Sequence, residues 1–133
     1  MVRNIIITAA VFAAVAVLLG AMGAHALKNL IAPDKLLSFE TGVRYQFYHS
    51  IALLAIAGLQ HNFKSKFYNY SALFFVIGIV LFSGSIYLLS IRELINIPHL
   101  IILGPVTPFG GISFIIGWLF LIKAGSDIKN KTF

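Results

Sequence analysis

Glu40-Thr41-Gly42-Val43-Arg44-Tyr45-Gln46-Phe47-Tyr48-His49 is the stretch whose reading decides the fold. At about 100° per residue, a helix through it carries two polar faces. Glu40, Arg44 and Tyr48 follow one another at spacings of four and Ile51 continues the stripe, while Gly42, Tyr45, Gln46 and His49 lie on the other side. Glu before Arg at this spacing is the favourable order for a helical ion pair, worth about 0.2–0.5 kcal/mol on a wet surface. The apolar run Phe47 to Leu59 has thirteen residues. That is roughly 20 Å of helix against a hydrocarbon core of about 30 Å. A membrane span must therefore reach back through His49 and Tyr45 towards Thr41. Gln46 and His49 then lie at membrane depth and Arg44 near the interface, with Glu40 as its nearest candidate partner.

Composition supports a membrane setting for this helix. Of 133 residues, 59% are apolar and 11% charged, far more apolar than a soluble core needs. The net charge of +6 comes from lysines and arginines beside apolar segments, without the interleaved aromatics of a nucleic-acid surface, so no nucleic-acid partner is expected. There is no cysteine, which excludes disulfides, zinc–thiolate sites and thiol catalysis.

Four apolar segments follow in order, at about 4–25, 41–60, 68–90 and 107–124. The expected fold is all-α: one domain over residues 1–133, an integral membrane bundle of four transmembrane helices, with a polar cytoplasmic tail at 125–133. Ile5 to Ala24 forms the first span. Ala24-His25-Ala26 has the small-x-small form of a secretory cleavage site, but the run exceeds a usual leader core and three spans follow, so retention is expected. Gly20, Gly23 and their alanine neighbours form a ridge of small residues suited to close helix packing. His25 stands where the chain leaves the membrane. Ile31 to Phe39, opened by Pro33 and Asp34, reads as a short helix lying on the membrane surface.

After a short loop at Gln60–Lys66, Phe67, Tyr68 and Tyr70 suit an interfacial aromatic belt before the third span. Ser83-Gly84-Ser85 and Tyr87 interrupt its aliphatic character. Before the last helix comes a proline/glycine break: Gly104, Pro105 and Pro108 each oppose regular helix. Thr107-Pro108 reads as an N-cap followed by proline at the first helical position. Irregular backbone at this depth is tolerated where it is buried in protein or lines a polar cavity.

With four spans, Arg3, Lys64, Lys66, Lys123, Lys129 and Lys131 share one side, and Lys28, Lys35, Arg44 and Arg92 the other. The basic excess places both termini in the cytoplasm of a multi-pass protein of the cell inner membrane. His25, Glu40, Arg44, Tyr87, Arg92 and the Gly104–Pro108 break then gather in the non-cytoplasmic half.

Four ordered motifs carry a resemblance: Gly20-Ala21-Met22-Gly23-Ala24-His25-Ala26-Leu27-Lys28, Thr41 to His49, Phe82-Ser83-Gly84-Ser85-Ile86-Tyr87, and Leu103-Gly104-Pro105-Val106-Thr107-Pro108-Phe109-Gly110-Gly111. Together they resemble domain-of-unknown-function family 423, small bacterial inner-membrane proteins with mitochondrial relatives. Met22 stands where a bulky aromatic is more usual in that pattern. The resemblance covers nearly the whole chain and implies four membrane helices with no assigned activity.

Two functional readings divide the polar residues. In the first, His25, Glu40, Arg44, Tyr45, Gln46, Tyr48, His49, Ser83, Ser85, Tyr87 and Thr107 surround a small polar or anionic molecule, or a lipid headgroup, that the protein binds or transports. A pathway through so few spans would draw on several subunits, so a homo-oligomer belongs to this reading. In the second, the same residues only hydrogen-bond across helices and fix the packing. An enzyme using His25, Glu40 and His49 lacks a recognisable catalytic motif, and no ligand spacing such as His-x-x-x-His supports a metal. No cofactor is expected, and the bilayer itself is the one assured partner.

Overall fold

The computed structural model describes residues 1–128; the sequence beyond, including most of the expected polar tail, lies outside them. Among the described residues there are four long helices and no strand. They are α1 (Val2–His25), α2 (Pro33–Asn62), α3 (Phe67–Ile91) and α4 (Val106–Ser126). Three segments among the described residues are long and apolar enough to cross a membrane: Val2–Asn29, Phe67–Ile91 and Pro98–Ser126. α2 carries Asp34, Lys35, Glu40 and Arg44 in its first half and is not among them.

α1 packs along α2 and α3 along α4, while α2 meets α3 mainly from the middle of α3 onward. The core is built from Ala9, Leu53, Ile56, Tyr68, Phe75, Ile79 and Phe114, all 4% exposed or less. α1 and α2 are joined by a short 3₁₀ turn at Leu27–Asn29. After α3, Asn96 takes φ 56°, a left-handed conformation that asparagine tolerates, and the chain enters a 3₁₀ turn at Pro98–Leu103.

Three sequence expectations change. First, the surface helix and the second span are one continuous helix of 30 residues. Pro33 occupies its first turn, where the missing N–H costs nothing, and no proline or helix-breaking turn follows within it. Second, α4 begins at Val106, two residues before the expected start at Pro108, with Pro105 in the cap position. Pro108 is then its third residue, still among the first four whose N–H groups have no intrahelical acceptor, so the ring is accommodated. Third, α3 is not uniform: Ile79–Ser83 is a π-helical turn, in which the Gly84 N–H reaches back to the Ile79 carbonyl. One extra residue per turn shifts the register of everything after it. Ser83 consequently faces α2 and Ser85 faces α4.

Glycine sets the closest approach. A Cβ at Gly110 of α4 would overlap the backbone of Phe82, leaving no side chain that could yield. At Gly78 and Gly117 an added Cβ would run into the rings of Phe114 and Phe75. Small residues on both helices thus let α3 and α4 meet nearly backbone to backbone, the packing mode expected of helices in lipid.

Candidate functional site

The two faces of α2 separate as its periodicity implies. Arg44, Tyr48 and Ile51 are exposed and Glu40 is half-buried, whereas Gly42, Gln46 and His49 are buried; Tyr45, expected on the inward side, is 40% exposed. At Gly42 an added Cβ would lie 2.8 Å from the Tyr87 ring, so glycine is what allows α3 to cross here. Ser83 donates its hydroxyl to the Gly42 carbonyl at 2.7 Å. One turn along, Gln46 donates through Nε2 to the Phe12 carbonyl of α1 and accepts from the Tyr87 hydroxyl of α3, both at 2.8 Å. A single amide therefore ties three helices.

His49, 5% exposed, completes the arrangement. Its Nδ1 lies 2.8 Å from the Tyr45 carbonyl, which can only accept, so Nδ1 carries the proton. Nε2 is left with a lone pair that accepts from Trp118 Nε1 of α4 at 3.2 Å. The ring stacks face to face on Phe114, with centroids 3.6 Å apart, and meets the edge of Phe75 at 5.1 Å. Every polar atom of the imidazole is engaged. Tyr45 stacks on Phe82 at 4.7 Å. Further along α3, Ser85 donates to the Phe82 carbonyl at 3.0 Å, so the bond to Thr107 Oγ1 at 2.7 Å runs from the threonine to the serine. Thr107 is a tie between helices rather than an N-cap.

Of the sequence-derived candidates, the structure brings together Gln46, His49, Tyr45, Ser83, Ser85, Tyr87 and Thr107 as a chain of interhelical contacts. Arg44 and Glu40 do not pair. The guanidinium instead donates to Thr41 Oγ1 at 3.0 Å, one turn back on the same exposed face, where an ion pair gains little over hydration. Tyr48 projects outward, and His25 is exposed at the end of α1. Among the described residues no three His, Asp or Glu side chains gather as a metal site, so His25, Glu40 and His49 do not form one.

A second polar region lies at the end of the bundle where α2 begins and α3 finishes. Lys35, Ser90 and Arg92 share the wall of a cleft of about 300 Å³ with Ile86, Leu89 and Ile101. The Arg92 side chain is 18% exposed, and its ionic partner among the described residues is Glu93, 3.6 Å away and 72% exposed. Ser90 is 5% exposed, and its buried hydroxyl has no hydrogen-bond partner among the described residues. Sequence reasoning placed Arg92 and Lys35 on this side without bringing them together, and passed over Ser90. The missing signal was the continuity of α2, which carries Lys35 to the same end of the bundle as the last turn of α3.

The family model described as "Protein of unknown function (DUF423)" matches residues 19–111. The UPF0382 inner membrane protein YgdD of Escherichia coli K12 is 35% identical over 97% of this chain and 94% of its own length. The UPF0382 membrane protein YwdK of Bacillus subtilis is 43% identical over 90% of this chain and 93% of its own length. A third relative, the UPF0382 membrane protein SSP2132 of Staphylococcus saprophyticus, is 40% identical over 88% of this chain and 92% of its own. No solved structure matches. The matched segment holds Gly42, Gln46, His49, the π turn and the start of α4, and the chain belongs to the DUF423 family of membrane proteins.

Proposed function

We propose that this protein is a structural module of the inner membrane, a fixed four-span bundle whose buried polar residues specify helix packing. The observation that carries this reading is that every side-chain polar atom of Gln46 and His49 already has a partner within the bundle. Both use their side-chain polar atoms on neighbouring backbone or on other helices, leaving none directed at a solute. A transport path through the centre would need such groups free to exchange partners with its cargo.

The reading includes α2 as the second span. Its 30 residues make about 45 Å of helix, enough to cross a core of about 30 Å with its charged first turns standing outside. Around its middle, the outward residues Phe47, Ile51 and Leu54 are apolar. Four crossings return both termini to the side with the basic excess, the cytoplasm.

The test is thermal stability of the detergent-solubilised protein with Gln46→Leu and, separately, His49→Leu. Removing Gln46 leaves the Tyr87 hydroxyl without its acceptor, and each variant is expected to cost about 1–2 kcal/mol, lowering the unfolding midpoint. Two variants with wild-type midpoints would overturn the structural reading and return these residues to the binding or transport account.

A further inference from the structure

We propose that the cleft between the start of α2 and the end of α3 is a binding site for a phosphate group, held by Lys35, Arg92 and Ser90. It goes beyond the structural role, because these residues take no part in the interhelical ties. Two cations of the chain line the cleft, and an arginine whose side chain is mostly buried is expensive unless its donors are met. Glu93 meets only part of that need. Its carboxylate approaches Nη2 at 3.6 Å from solvent, and a guanidinium has five N–H donors in a fork that suits phosphate oxygens. The Ser90 hydroxyl is a buried donor with no partner among the described residues, whereas the hydroxyl of Ser38, also at the cleft, already donates to the Asp34 carbonyl.

The rest of the wall indicates the carrier of that phosphate. Ile86, Leu89 and Ile101 make it apolar beside the two cations, the combination met by an anionic lipid, with headgroup on the charges and acyl chain along the helices. Free phosphate presents the same anion without the chain.

Native mass spectrometry of the full-length protein released from nanodiscs of mixed phosphatidylglycerol and phosphatidylcholine tests the site. The wild type should retain phosphatidylglycerol preferentially, and Lys35→Gln/Arg92→Gln should lose that preference about tenfold. Ser90→Ala should weaken it several-fold while leaving the thermal midpoint unchanged or higher, since it deletes a hydroxyl that bonds nothing. A second arm follows thermal unfolding in phosphatidylcholine-only nanodiscs with inorganic phosphate added. A midpoint rise in the wild type that the double variant lacks, with the two lipids retained equally, assigns the site to free phosphate. Equal lipid retention with no phosphate effect overturns the proposal, as does a lipid preference that survives in the double variant. Should the double variant not fold, Ser90→Ala decides alone, and an undiminished preference or phosphate effect sinks the idea.

Discussion

The middle of this bundle and its α2–α3 end treat polar groups in opposite ways. In the middle, Gln46, His49, Tyr87, Ser85 and Thr107 find partners within the protein, and the helices are drawn together until glycine is the only residue that fits. At the end, Arg92 has one distant ionic partner and Ser90 none, around a cleft large enough for a small group. The difference teaches that polarity in a membrane chain is not by itself a sign of a site. What separates a tie from a site is whether the donors and acceptors are already spent.

The strongest way to break the comparison is to open the middle. Gly110→Ala places a methyl against the Phe82 backbone, which cannot turn away as a side chain could. Overpacking typically costs about 1–3 kcal/mol, and with backbone on the far side this variant is expected at about 3 kcal/mol. The checking measurement is the unfolding midpoint in detergent. A midpoint equal to that of the wild type would mean α3 and α4 are not held at backbone contact.

A smaller effect sharpens it. Thr107 and Ser85 share one hydrogen bond between α4 and α3, so Thr107→Val and Ser85→Ala should be non-additive. Interhelical bonds of this kind average about 0.6 kcal/mol, which is the coupling expected from a double-mutant cycle on unfolding free energies. Strict additivity would mean that the Thr107–Ser85 bond does nothing to hold α4 against α3.

Much of the fold was legible because it depends on period and length. The spacing of Gly42, Gln46 and His49 identified the inward face of α2, and run lengths located α1, α3 and α4 within a few residues. Three features were hidden for different reasons. The charges of Asp34, Lys35, Glu40 and Arg44 suggested a membrane edge and so a chain break, although charge does not interrupt a helix that extends into water. The π turn at Ile79–Ser83 contains neither glycine nor proline to announce it, and its effect, Ser83 on α2 and Ser85 on α4, shows only in the packed bundle. Trp118 as the donor to His49 joins residues 69 positions apart, a pairing no local pattern encodes. The cleft was missed as a consequence of the first of these, since a separate surface helix puts Lys35 on the same side as Arg92 without fixing it against the end of α3.

Arg44 gives the smallest expected effect and the sharpest contrast with its neighbours on α2. From sequence it had the strongest claim to a buried functional charge, yet two residues before Gln46 it points outward and donates only to Thr41 on its own helix. Arg44→Gln keeps a side chain that can reach Thr41 and removes a charge that nothing in the bundle neutralises. Its cost should stay within about 0.5 kcal/mol, the range of surface substitutions, while Gln46→Leu on the inward face costs several times more. The pair of unfolding midpoints checks this. If Arg44→Gln destabilised the protein as much as Gln46→Leu, the outward face of α2 would have to be covered in the working assembly, by a second copy or another membrane protein, and the division between an inner tie and an exposed face would fail at this helix.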